Sequence, residues 1–178
     1  MHVPRPASRE RRYEQPCGNE AAEFGESIFQ LVRAGDAARL LPLLERGVSP
    51  RLANDRGDSL LLVASYHGHH DVAQTLLEHG ADPDAPNALG QTPLEGATFK
   101  GDAEMVDLLL QHGARVDVPA SEGKTALMVA AMFDRVDVLD LLLDHGADPA
   151  VRDVQGMTAR ELAARMGAQA ALGRLAVA

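Results

Sequence analysis

The amino-acid sequence predicts an all-α fold: a solenoid of stacked helix-turn-helix pairs joined by short β-hairpin loops, with about five units counting the caps. Three observations predict it. Glycines recur at a step of 33 residues in three separate series: Gly57, Gly90, Gly123 and Gly156; Gly47, Gly80, Gly113 and Gly146; and Gly35, Gly68 and Gly101. Leucine and alanine positions repeat in register with them. A hydroxyl residue stands at the same place in each of the last four units, ahead of an apolar run. Three series locked to one period are the mark of a repeat architecture, in which each unit has an apolar face that it can bury only against its neighbours.

The units read in order as a divergent first copy at 24–56, full copies at 57–89, 90–122 and 123–155, and a shortened last copy at 156–178. Residues 1–23 precede them. They balance four arginines with four glutamates and carry three prolines among the first sixteen residues, which predicts a disordered arm. In the first copy Pro42 falls inside the second helix, where it removes a hydrogen bond and is expected to kink the chain, giving a distorted N-terminal cap.

In the later copies Ser59, Thr92, Thr125 and Thr158 sit where a side-chain oxygen caps the first helix. Pro93 takes the first helical position, where its missing N–H costs nothing. Leu61, Leu94 and Leu127 form one apolar ladder, and Ala64, Ala97 and Ala130 form another that lets neighbouring helices approach closely. Gly68 and Gly101 close the first helix in the left-handed conformation. Asp134 stands in their place in the next copy and must adopt or avoid that conformation.

The second helix carries a leucine stripe, Leu76–Leu77, Leu108–Leu110 and Leu141–Leu143, and ends at Gly80, Gly113 or Gly146. His79, His112 and His145 precede those glycines, at the negative end of the helix dipole. Asp71, Glu104 and Asp137 lie in the first turn, at its positive end. The last copy, "RELAARMGAQAALGRLAVA", reads as two short helices that close the stack, with Arg160, Arg165 and Arg174 turned to water.

The stretch "GQTPLEGA" at 90–97 and the ending "LLLDHGADP" at 141–149 carry a further likeness. With the 33-residue period, they make the chain resemble the ankyrin-repeat family over about residues 24–178. The histidine of that family's T-P-L-H signature is absent; Leu62, Glu95, Met128 and Glu161 stand there instead. The resemblance implies contacts with other proteins, in settings from transcriptional regulation to bacterial stress response and effector or immunity systems. The arginine-rich, lysine-poor composition suits a GC-rich bacterial genome.

Composition excludes several function classes. A net charge of −9 gives no global attraction to nucleic acid or to an anionic membrane. The single cysteine, Cys17, can form neither an internal disulfide nor a cysteine-based zinc site. The longest apolar run, Ala126 to Phe133, is far too short to span a bilayer. The N-terminus lacks an apolar segment of signal-peptide length, so a cytoplasmic protein is expected; delivery elsewhere needs a leader outside this sequence.

The stretch "SYHGHHD" at 65–71 invites a metal reading through His67, His69 and His70. Histidines this close across a tight turn rarely converge at ligand distance, and no cysteine or carboxylate–histidine pair stands nearby at ligand spacing. His69 fits the entry of a second helix and His67 the exposed end of a first one; His70 is left unexplained. Thr92–Glu95 and Thr158–Glu161 read as capping boxes rather than as acid–base pairs. No nucleophile motif or phosphate-cradling loop is present, so no catalytic activity, cofactor or metal is expected.

Function is expected in positions that stacking leaves over. The pair before each mid-repeat glycine is Arg33 and Ala34, Tyr66 and His67, Phe99 and Lys100, then Met132 and Phe133. Three of the chain's six aromatic residues fall in this pair of columns, and aromatic and methionine side chains are typical interface anchors. Hairpin residues Arg56, Asp58, Leu89, Gln91, Glu122, Lys124, Val154 and Gln155 frame the same face. These positions predict a concave groove that binds a protein partner, and the acidic excess predicts a basic surface on that partner. The chain is expected to be a monomer when free. The alternative is a structural or self-associating subunit of a larger assembly.

Overall fold

The computed structural model describes residues 19–176, and they form five helix pairs. The first helices are α1 (Asn19–Ala34), α3 (Leu60–His67), α5 (Pro93–Lys100), α7 (Ala126–Met132) and α9 (Ala159–Met166). The second helices are α2 (Ala37–Glu45), α4 (His70–Glu78), α6 (Ala103–Gln111), α8 (Val136–Asp144) and α10 (Gln169–Arg174). First helices pack on first helices, second on second, and each pair on itself, so the core runs the length of the stack.

The apolar ladders hold it together. Leu61, Leu94 and Leu127 are sealed between first helices, and Ala64, Ala97 and Ala130 are wholly buried beside them. Leu76, Leu109 and Leu142 seal the layer of second helices. Each such leucine contributes about 1.5–3 kcal/mol by leaving water. Ser59, Thr92, Thr125 and Thr158 accept the N–H three residues on, at 3.0, 3.2, 3.4 and 3.3 Å. Gly68 and Gly101 close α3 and α5 with φ of 72° and 76°.

Three features depart from the sequence expectations. Helix α1 begins at Asn19, so the repeat domain reaches back beyond residue 24 into the expected arm; Glu20, Ala21, Ala22 and Glu23 are strong helix formers. Residues 1–18 of that arm lie outside the described residues. Helix α2 runs through Pro42 and keeps nine residues, as many as α4, α6 and α8. Pro42 is on the exposed side, where solvent reaches the freed backbone.

The hairpin loops are turns closed by backbone bonds, and among the described residues only Ala53 and Ser59 form a bridge. Asn54, Asn87 and Asp153 hold three of these turns, each side chain accepting N–H groups two and four residues on. Ala120 stands in the fourth and has no side-chain acceptor to offer. There the turn tightens into a short 3-10 stretch, Ser121–Gly123, with Glu122 left-handed at φ 59°.

Asp134 does adopt the left-handed conformation, at φ 55°. Its Oδ1 accepts the Ala171 N–H at 2.8 Å, in the first turn of α10, whose own cap residue Ala168 has no side-chain acceptor. Asp134 therefore caps a helix of the next repeat. Asp134→Ala should lower stability by about 1–2 kcal/mol in urea unfolding, since it keeps the backbone strain and loses the cap. Asp134→Asn should be near neutral. Equal loss in both variants would remove the capping role.

Candidate partner-binding groove

A groove of about 780 Å³ runs across the first helices of the first four repeats. Its walls are Tyr66 at the end of α3, Phe99 at the end of α5, and Met132 and Phe133 at the end of α7, with Arg33 from α1 and His67 beside Tyr66. The turns before the helices add Asn54, Arg56, Asp58, Gln91 and Lys124. The floor is Leu62, Val63, Glu95, Gly96 and Val129.

Of the residues singled out in the sequence, Leu89, Lys100, Glu122 and Gln155 do not line this groove. Leu89, Glu122 and Gln155 stand at turn tips, exposed to solvent. Lys100 lies with its ammonium 4.9 Å from the Tyr66 ring centroid, a cation–π contact on the groove's edge. Val154 is likewise at an exposed turn tip.

The aromatic column is open to solvent. Tyr66 is 47% exposed and Phe99 and Phe133 are each 41% exposed, while Met132 is half-buried. Phe99 and Phe133 meet edge to face with centroids 4.9 Å apart, so the walls of neighbouring repeats brace one another.

The charges of the lining are mixed. Arg33 pairs with Glu26 at 2.7 Å and Lys124 pairs with Glu122, so two of the three cations are already neutralised. Arg56 makes no ion pair among the described residues. Asp58 is held by neutral groups, the amides of Asn54 at 3.0 Å and Asn87 at 2.8 Å, and makes no ion pair among the described residues. The acidic excess lies elsewhere. Helices α4, α6 and α8 carry seven acidic residues between them and no lysine or arginine, and none of those acids lines the groove.

Glu95 differs most from its sequence reading. The reciprocal capping box forms at Thr158–Glu161, where the Thr158 N–H donates to Glu161 Oε2 at 2.8 Å. At Glu95 the N–H meets Thr92 Oγ1 at 3.2 Å, but the side chain also lies in a column whose neighbours, Leu62 and Met128, are buried and apolar, and its Oε2 is buried with no hydrogen-bond partner. Burial raises its pKa above the ordinary 4.5, while the Thr92 backbone and the Lys124 charge pull it back down.

A folded-state pKa above the unfolded one means that the protonated form favours folding. That contribution is complete below the ordinary value and is lost as pH rises through the folded value. The stability of Glu95→Gln relative to wild type should therefore improve between about pH 4 and pH 7 in thermal melts. A difference that stays flat with pH would mean a well-hydrated carboxylate.

The histidine cluster is absorbed by stacking. His69 Nε2 lies 2.9 Å from the Arg33 carbonyl of the preceding repeat. His70 Nε2 lies 3.0 Å from both oxygens of Asp102 in the following one, and Asp102 also caps α6. His67 remains at the groove, its ring stacked 5.9 Å from that of His69; burial, then the charges of His69, Arg33 and Lys100, hold its pKa below the ordinary range. Among the described residues no group of three or more His, Cys, Asp or Glu is placed to hold a metal ion. No helix among them is long and apolar enough to cross a membrane.

Comparison with known proteins agrees with this architecture. A family model described as ankyrin repeats in three copies matches residues 21–120, and one described as ankyrin repeats in many copies matches residues 100–163. A curated Pseudomonas aeruginosa protein named for ankyrin repeats is 49% identical over 55 residues, which is 31% of this chain and 32% of the relative. The chain thus spans about a third of the curated relative it matches. Ankyrin repeats are generally protein–protein interaction modules. The first model covers more than half of the sequence, its span contains the series Gly35, Gly68 and Gly101 and the capped helices α3 and α5, and the chain belongs to the ankyrin-repeat family.

Proposed function

We propose that the chain is a non-catalytic binding protein that takes a segment of another protein into the groove along its first helices. The observation that carries this reading is the aromatic column. Tyr66, Phe99 and Phe133 each leave more than two fifths of their surface in water, side by side along one groove, in a chain with few other aromatic residues. Stacking does not require them there, because the ladders of Leu61, Leu94 and Leu127 already close the repeats. Contiguous apolar surface of this kind marks interaction sites on folded proteins, and aromatic side chains dominate their energetics.

The double variant Tyr66→Ala with Phe99→Ala tests it. Proteins captured from the source cell by the wild-type chain should be lost from the double variant, with affinity for an identified partner at least about 30-fold weaker, the effect of removing an interface hot spot. The far-UV circular dichroism should be unchanged, because neither ring belongs to the core. Retention of every captured protein by the variant would show that the groove is the wrong surface. Light scattering separates this reading from self-association, in which the apparent mass would climb above 19.0 kDa with concentration.

A further inference from the structure

The groove floor is built unlike its neighbours at one place. Across the repeats the first floor column reads Leu62, Glu95, Met128, and the next reads Val63, Gly96, Val129. In the third repeat a carboxylate replaces an apolar side chain, and a glycine replaces valine beside it. Gly96 is inside α5 with an ordinary helical backbone, so no turn demands it. A methyl group built there would sit 3.7 Å from Leu62 Cδ1 and 4.0 Å from Tyr66 Cβ, in ordinary contact and without clash. Glycine in a helix interior costs about 1 kcal/mol relative to alanine, and here packing does not explain it.

The two replacements together open the groove floor beside Glu95, where Leu62 and Tyr66 border the space at Gly96 and Phe99 lines the same groove. A buried carboxylate oxygen without a donor is unfavourable, and a cation that donates to the carboxylate relieves it. The surroundings of Glu95 supply no direct donor of that kind: Lys124 acts on Glu95 only through its charge and is paired with Glu122, and Arg33 is paired with Glu26. The remaining carboxylate of the lining, Asp58, is bonded by neutral amides, so the lining holds two carboxylates without an ion pair against one such cation, Arg56. Aromatic walls suit the same ligand, as the Lys100 ammonium over Tyr66 illustrates.

We infer that Glu95 and the gap at Gly96 form a specificity slot for one arginine or lysine side chain of the bound protein segment, with an apolar side chain of that segment packing on Phe99 and Phe133. The inference rests on the groove reading above and adds the chemistry of what is read there.

Random heptapeptides displayed on phage, selected on the immobilised full chain, test it. The wild type should enrich peptides with arginine or lysine at a fixed spacing from a large apolar residue. Glu95→Gln should keep the apolar preference and lose the basic one, and a selected peptide should bind it about tenfold or more weakly, as expected for a lost charge-assisted hydrogen bond. Gly96→Val restores the residue of the flanking repeats and should fold at least as well as wild type, yet fail to enrich the basic position.

An undiminished basic preference in Glu95→Gln, or wild-type peptides that are apolar throughout, overturns the slot. In both cases loss of enrichment by Phe99→Ala shows that the groove still binds. Absence of any enrichment by the wild type overturns the groove and the slot together.

Discussion

Replacement of Leu127 by alanine is expected to lower the unfolding free energy by about 3–4 kcal/mol. Leu127 is wholly buried in α7, which packs on α5 and α9 as well as on its own partner α8. Truncation removes the transfer free energy of the side chain and leaves a cavity that a close-packed ladder collapses around poorly. Position in the stack raises the effect. In a nearly one-dimensional array each unit is stabilised by its two interfaces, and α7, which carries Leu127, takes part in both of those made by the fourth repeat. Urea denaturation followed at 222 nm measures it. Leu89→Ala is the comparison: with 73% of its surface exposed, Leu89 should change stability by no more than about 0.5 kcal/mol. A Leu127→Ala loss of similar size would mean that the repeats are held together by something other than this ladder.

Gly57→Ala and Gly156→Ala form the second case, because the two glycines share φ of 76° and differ in what lies above them. An alanine at either place takes on left-handed strain of about 1–2 kcal/mol. At Gly156 no neighbour lies within 4 Å of the added methyl, and that strain is the whole expected effect. At Gly57 the methyl would come within 2.9 Å of the Ala88 backbone nitrogen, in the next turn of the stack. That nitrogen donates to the Arg56 carbonyl at 3.0 Å, the bond that ties one turn to the next. Backbone cannot swing aside as a side chain can, so Gly57→Ala should cost about 3 kcal/mol, roughly twice its counterpart. Thermal melts of the pair read the difference directly. Equal losses would show that the turns do not stiffen the stack.

Residues with local roles were legible in sequence. Ser59, Thr92, Thr125 and Thr158 cap helices because a hydroxyl three residues ahead of an N–H meets it in any such turn, whatever surrounds it. The leucine and alanine ladders follow from periodicity in the same way. The turn side chains Asn54, Asn87 and Asp153 also recur at the 33-residue step, so a signal was present, masked by the break at Ala120. Asp134 was legible as a strained position and not as a cap, since its partner Ala171 stands 37 residues away.

His70 was similarly unexplained until Asp102, 32 residues on, came within 3.0 Å. Glu95 fitted a local motif, and the motif told only part of its role. Spacing shows that a carboxylate can reach back to a cap; it does not show that Leu62 and Met128 flank it or that solvent is excluded from one oxygen. The net charge of −9 pointed to a basic partner, yet the acids cluster on second helices away from the groove. A sum over the chain carries no direction.

Sequence by itself determined the repeat, its helix ends and the ladders that stack it, because those depend on contacts three, four or 33 residues away and recur until they are unmistakable. Tertiary structure alone decided which side chains are dry, which charges lack a partner and where a groove opens. Burial and pairing are set by how several repeats curve against one another, and no single repeat contains that information.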